Sequence, residues 1–300
     1  MPAFQPRPLN RRAFLQGSTL LLTAARTSIA MAKQEEPELR IGLITDLHYA
    51  EKPTAGTRHY RETLQKLTAA GRAFAAEEIR PEMFVELGDF IDAAADHDLE
   101  LRYLNKINGQ FRTLGDDRHY VLGNHCVESL TKGEFLEAVG QDESYYSFDR
   151  GDWHFIVLDA CFNSAGQPYQ RKNFVWSDAN VPQAELKWLT ADLAANDKPT
   201  IIFSHQRLDN GGSHMIRNAG DVRSILELSR NVKAVFQGHS HSNSYQQIRD
   251  IHYCTLVSMV EGGGADNNAF SILDLMPSGT LRVNGFEKQK GYEWVPMMQS

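Results

Sequence analysis

The sequence predicts an α/β fold, on three observations. Short β-prone apolar runs end abruptly in polar loops, stretches with helical spacing separate successive runs, and Gly or Pro stands where the pattern changes. At 300 residues, 42% hydrophobic and 23% charged, the chain suits one large domain better than two small ones.

Residues 39–45 are short, β-prone and apolar, and read as a buried strand running into a loop with Asp46 and His48. Across 57–80, Leu64, Leu67, Ala70, Phe74 and Ala75 recur at helical spacing until Pro81 stops the pattern. A strand at 83–87 ends at Gly88-Asp89, a helix follows at about 98–114, and a strand at 119–122 ends at Gly123-Asn124-His125. Strands at 145–148 and 153–158 flank Asp149-Arg150-Gly151-Asp152, a hairpin turn signal, and 161–181 reads as a long irregular loop. A helix at 182–196 opens on Pro182, a strand at 199–203 precedes Ser204-His205, a helix covers 221–229, and a strand at 232–236 leads to Gly238-His239-Ser240-His241. Beyond His241 the helices stop, and strands near 244–248, 251–257, 269–275 and 280–286 predict a β meander.

Residues 1–32 differ in composition: Arg7, Arg11, Arg12 and Arg26, no acidic residue, and an apolar stretch at 13–25. Arg11-Arg12-Ala13-Phe14-Leu15 resembles the twin-arginine export motif, and Ala30-Met31-Ala32 supplies a small-x-small cleavage pattern. The expectation is a signal peptide over 1–32, taken by the twin-arginine export machinery, and a domain over 33–300 delivered to the periplasm or outside the cell. The alternative is an amphipathic or anchoring helix, but the apolar run is well short of the roughly 20 residues that span a bilayer. Without those four arginines 27 basic residues face 38 acidic ones, a formal charge of −11, which disfavours sequence-independent binding to nucleic acid. Cys126, Cys161 and Cys254 lack CxxC spacing, so neither a zinc ribbon nor a disulfide-rich scaffold is expected.

Five predicted strand ends carry metal-ligating residue types: Asp46-x-His48, Gly88-Asp89, Gly123-Asn124-His125, Ser204-His205 and Gly238-His239-x-His241. Loops leaving strand ends converge on one crevice in α/β proteins. Each motif alone is weak, since a lone histidine after a strand is more often a hydrogen-bonded structural residue. Carboxylate and amide oxygens mixed with imidazoles suit Mn, Fe or Zn, whereas an all-oxygen set would point to Mg or Ca.

Taken in order over residues 39–241, these motifs resemble the calcineurin-like metallophosphoesterase family: DxH, GD, GNH, a lone H and GHxH. The resemblance implies a sandwich of two mixed β-sheets flanked by helices, with two metal ions at the strand ends. It implies one ion on Asp46, His48, Asp89 and His241, and a second on Asp89, Asn124, His205 and His239, with Asp89 as the bridge. Two cations roughly 3.5–4 Å apart lower the pKa of a bridging water, so hydroxide attacks phosphorus without a protein nucleophile. His125 is the GNH residue left off the metals, placed to stabilise transition-state charge or protonate the leaving oxygen, with a supporting hydrogen bond as the alternative. Many members carry an acid directly after GNH; here Cys126 stands there. Asp92, one helical turn past Asp89, is expected to cap the next helix rather than orient a ligand. Cys126 and Cys161 both follow strand ends, which makes a disulfide between them a hypothesis to test.

Residues 157–159, 183–189 and 203–205 are similar to the branch that includes cyclic-nucleotide phosphodiesterases and manganese-dependent ADP-ribose/CDP-alcohol pyrophosphatases. Tyr145, Tyr146, Phe162, Tyr169, Phe174 and Trp176, in or beside the long loop, offer faces for a nucleobase, or simply pack the loop. The expected reaction is hydrolysis of a phosphodiester or pyrophosphate bond in a small nucleotide-like substrate. The alternatives are phosphomonoester hydrolysis and a non-catalytic metal-binding module, whose expected signature, a missing ligand, is not found. Metal identity, natural substrate and oligomeric state stay open.

Overall fold

The computed structural model describes residues 35–296. The expected leader, 1–32, lies outside the described residues. The described residues from Glu36 onward form one compact unit.

Six strands make each of two sheets. The first contains β1 (Leu39–Ile44), β2 (Met83–Glu86), β3 (Asp117–Tyr120), β10 (Ala269–Leu275), β11 (Leu281–Glu287) and β12 (Tyr292–Trp294), in the order β12-β11-β10-β1-β2-β3. The second contains β4 (Tyr146–Arg150), β5 (Trp153–Val157), β6 (Thr200–Phe203), β7 (Val232–Gln237), β8 (Ser244–Ile248) and β9 (Ile251–Thr255), in the order β4-β5-β6-β7-β9-β8. Both sheets are mixed: β1, β2 and β3 run parallel, as do β5, β6, β7 and β9, while the remaining pairs are antiparallel.

Period-2 alternation assigns the two faces of each central strand to different cores. Ile41, Leu43, Met83 and Val85 of one sheet meet Phe155, Val157, Phe203 and Phe236 of the other in the layer between the sheets. Phe84 turns outward with Phe74 and Leu104, under α1 (Thr63–Ala76) and α2 (His97–Phe111). On the far side Ile156, Ile202 and Val235 meet Leu189 and Val222 of α4 (Gln183–Ala194) and α5 (Ala219–Ser229). Burial on both faces explains why these strands read as continuous apolar runs.

Three sequence expectations change. Helix α1 begins at Thr63 rather than residue 57, because Ala55 and Arg58 first close a turn, hydrogen bonded in both directions. An unanticipated helix, α3 (Lys132–Val139), is short and contains Gly133, yet it is announced by the capping box of Thr131 and Glu134 and closed by Gly140 in the left-handed region. The C-terminal strands do not form one meander. β8 and β9 complete the second sheet beside β7, and the chain then crosses through 256–268 to put β10 beside β1. The ammonium of Lys66 pins that crossing from α1, donating to the carbonyls of Met259, Glu261, Gly262 and Asn267 at 2.6–3.1 Å. Among the described residues no helix is long and apolar enough to cross a membrane.

Candidate metal centre and active site

The loops after β1, β2, β3, β6 and β7 converge because their strands run parallel within the two sheets, and backbone hydrogen bonds lash them together. Asp46 and His48 donate their N–H groups to Gly88 and Asp89 carbonyls at 3.0 and 2.7 Å, and Gly238 N–H reaches the His205 carbonyl at 3.0 Å. Val260 N–H, in the crossing segment, donates to the Asp46 carbonyl at 3.1 Å.

Five residues of these loops, Asp46, His48, Asp89, His239 and His241, adopt positive φ, between 44° and 69°. Each such residue costs of order 1–3 kcal/mol, and such strain concentrates at functional sites. Two glycines let the loops approach. A Cβ at Gly123 would overlap the backbone nitrogen and Oδ1 of Asp89, and one at Gly238 would overlap Thr45 Oγ1.

All eight residues singled out in the sequence come together. His241 Nε2 lies 3.3 Å from Asp46 Oδ1 and 3.1 Å from His48 Nε2, while His48 Nε2 lies 3.5 Å from Asp89 Oδ2. His205 Nε2 lies 3.1 Å from the same Asp89 oxygen. Asp46, His48 and His241 thus form one candidate ligand cluster, and Asp89, His205 and His239 a second. Asn124 follows Gly123, whose neighbour across the site is Asp89. Asp46 Oδ1, Asn124 Oδ1, His205 Nε2 and His239 Nε2 are all buried without a hydrogen-bond partner. Orphaned acceptors and imidazole nitrogens buried in these loops are costly unless something electrophilic shares them, so these residues fit a pair of metal ions. A third grouping, His48, Asp92 and His125, also falls within ligand distance. Its carboxylate is already engaged on both oxygens, by His48 Nδ1 at 3.1 Å and Lys52 Nζ at 2.6 Å.

That commitment corrects the expectation for Asp92. The cap of α2 is Asp96, which accepts from Leu99 N–H, while Asp92 holds the ring of His48. Equivalent partners orient two more of the histidines: Glu261 Oε1 accepts from His241 Nδ1 at 2.7 Å, and the Leu87 carbonyl from His205 Nδ1 at 2.8 Å. Fixing the second ring nitrogen sets which nitrogen faces the site. The acid absent at position 126 is supplied three residues after the histidine, where Glu128 pairs with His125 Nδ1 at 3.0 Å across a single 3₁₀ turn. The pairing Cys126–Cys161 is not formed: both cysteines, and Cys254, are free and buried.

The electrostatics follow from this burial. Burial alone would raise the Asp46 and Asp89 carboxyls, but the imidazoles of His241 and His205 at Asp46, and of His205 and His125 at Asp89, hold them well below the usual carboxylate range. Burial opposes charge on His241, yet Asp46 and Glu261 push it up to about 9. His239, buried beside His205, is lowered to about 3. Against its burial, His125 is raised by Asp89 and Glu128.

Of the six aromatics beside the long loop, two have rings against site histidines: Phe174 lies 5.8 Å from His125 and Trp176 6.0 Å from His239, centroid to centroid. The others pack elsewhere. Tyr146 stacks near His119 and Phe148, Tyr145 meets Trp188, Phe162 lies under Lys132, and Tyr169 is fully buried.

Two mixed sheets between helices, with this ligand set at their strand ends, define a metallophosphoesterase-type protein. The model of the calcineurin-like phosphoesterase family matches residues 39–243, and the chain belongs to that family. Among its relatives, the manganese-dependent ADP-ribose/CDP-alcohol diphosphatase of Oryza sativa is 24% identical over 309 residues, covering 87% of this chain and 96% of the relative. A 3',5'-cyclic-nucleotide phosphodiesterase of a Nostoc species is 25% identical over 258 residues, covering 82% and 88%. The crystal structure of a dimetal phosphatase from Danio rerio has the same fold, with a TM-score of 0.75 at 21% identity over 87% of this chain and 99% of that one.

Proposed function

We propose that this protein is a dinuclear metal phosphoesterase that hydrolyses a phosphodiester or pyrophosphate bond in a small nucleotide-like substrate. Two adjoining ligand clusters, Asp46–His48–His241 and Asp89–His205–His239, with the ligand atoms of Asp46, Asn124, His205 and His239 buried without hydrogen-bond partners, carry the reading. Asp46, His48, Asp89 and His241 would hold one ion, and Asp89, Asn124, His205 and His239 the other. Such ions supply neutralisation of the phosphoryl oxygens and a lowered pKa for water.

The rest is done by side chains. Asp92 and Glu261 keep the rings of His48 and His241 turned toward the cluster. Glu128 occupies Nδ1 of His125, which leaves Nε2–H to donate a proton to the leaving oxygen. Asp89 and Glu128 raise the basicity of His125 against its burial, which favours the protonated ring. The substrate class is suggested by the relatives, one named for ADP-ribose and CDP-alcohols and the other for cyclic nucleotides. Export of the 33–300 domain through the twin-arginine machinery rests on Arg11-Arg12 and Ala30-Met31-Ala32. A mature N-terminus at Lys33 on periplasmic or secreted protein would support it, and retention of the leader on cytoplasmic protein would exclude it.

The test is a substrate panel on the Mn-loaded protein: ADP-ribose, a CDP-alcohol, a 3',5'-cyclic nucleotide and p-nitrophenyl phosphate. Turnover of a diphosphate or diester in preference to the monoester is expected. Preference for the monoester would make it a phosphatase, and turnover of none would overturn the enzymatic reading.

A further inference from the structure

Trp176 is 43% exposed, in a loop otherwise fastened to the body of the protein. The fully buried Tyr169 anchors that loop, donating its hydroxyl to the Val175 carbonyl at 3.1 Å, and Asp178 N–H closes a turn onto the same carbonyl at 2.8 Å. The indole is therefore held next to the site instead of being folded into the core.

Its neighbours are aromatic. The ring of His214 lies 5.2 Å from the indole and 5.4 Å from the ring of His239, so Trp176, His214 and His239 form a continuous aromatic corner. His214 is presented by a short 3₁₀ turn, Gly212–His214, whose last carbonyl accepts from Arg207 N–H at 3.2 Å. The rim beside His48 and His241 has a different character. There Lys52 and Arg58 stand at 2.6 and 3.9 Å from Asp92, and Arg58 is also 3.9 Å from Glu261. One flank of the cluster offers flat aromatic faces, and the other offers cations suited to a phosphate.

We infer that Trp176, backed by His214, is a stacking site for the nucleobase of the substrate, placing the base on the His239 flank and the phosphate chain toward Lys52 and Arg58. This rests on the proposed function, whose substrate class it makes specific. Stacking of a base on an aromatic ring tolerates any base, because every base has a π-face, so purine and pyrimidine nucleotides would both be accepted.

Binding of AMP and of ribose 5-phosphate to the Mn-loaded protein, followed by calorimetry, isolates the base from the phosphate. The wild-type protein is expected to bind AMP more tightly by roughly 5- to 150-fold, the range that base–aromatic stacking supports. Trp176→Ala is expected to erase that gap while the affinity for ribose 5-phosphate stays the same, and Trp176→Phe to restore most of it. Equal affinity of the wild-type protein for the two ligands would overturn the inference even with turnover intact. So would a Trp176→Ala protein that keeps the gap, or one that loses affinity for both ligands equally. A base-dependent affinity lost in Trp176→Ala, in a wild-type protein that hydrolyses no nucleotide, would refute the proposed function and leave the stacking site standing.

Discussion

Lowering the pH from 8 to 6 is expected to weaken ion binding at the Asp46–His48–His241 corner about 100-fold. A histidine ligates a metal through a neutral imidazole, so a protonated one must first release its proton. His241, pushed up to about 9 by Asp46 and Glu261 against its burial, carries that proton throughout this range in the metal-free protein. The apparent affinity then falls tenfold per pH unit, at about 1.36 kcal/mol each, or about 2.7 kcal/mol over two units. His239, lowered to about 3, has no proton to release. Calorimetric titration of metal-stripped protein with Mn²⁺, in buffers of different ionisation enthalpy, reads both the affinity and the protons released, with at least one expected per protein at pH 7. Glu261→Gln removes one of the two carboxylates that hold this proton, so it should flatten the pH dependence. It should also cost about tenfold in affinity above pH 8, the lower end of what the loss of an orienting partner costs. An affinity that does not change between pH 6 and 8, with no proton released, would refute the reasoning.

Other consequences are as direct. His125→Ala should retain the bound metal and lose about 10²- to 10⁴-fold in kcat, and Glu128→Gln should move the alkaline limb of the pH–rate profile, where the proton donor is lost, to lower pH, because Glu128 together with Asp89 raises His125. Loss of metal from His125→Ala would instead place it among the ligands. Gly123→Ala drives a Cβ into the backbone of Asp89, which a side-chain rotation cannot relieve. It should cost about 1–3 kcal/mol and lower Tm by roughly 2–12 °C, measured by scanning calorimetry. Thiol titration of the unreduced protein should find three free thiols after unfolding and none before it, since all three cysteines are free and buried; a count of one would restore a disulfide.

The candidate ligands that the structure brings together were legible because the family pattern ties each to the end of a strand, and β1, β2, β6 and β7 carry the apolar runs that mark buried parallel strands. What orients those ligands was not legible. Glu261 and Lys66 act across the crossing segment 256–268, which has no periodicity, and each meets its partner at a separation that no local pattern encodes. Asp92 was placed as a helix cap from its spacing alone, although Asp96 has the better cap position. Two signals were available in the sequence: Thr131 followed three residues later by Glu134 marks the start of α3, and Glu128 stands three residues after His125. The division of the last five strands between two sheets depends on which edge each strand finds, and alternation does not record that.

The most direct test of the dinuclear site removes and restores its metal. Protein stripped with a chelator should hydrolyse neither bis-p-nitrophenyl phosphate nor nucleotide diphosphates, and should regain turnover in proportion to Mn²⁺ taken up, to two ions per chain, while Asp89→Ala does neither. Full activity in the stripped protein or in Asp89→Ala would contradict the account.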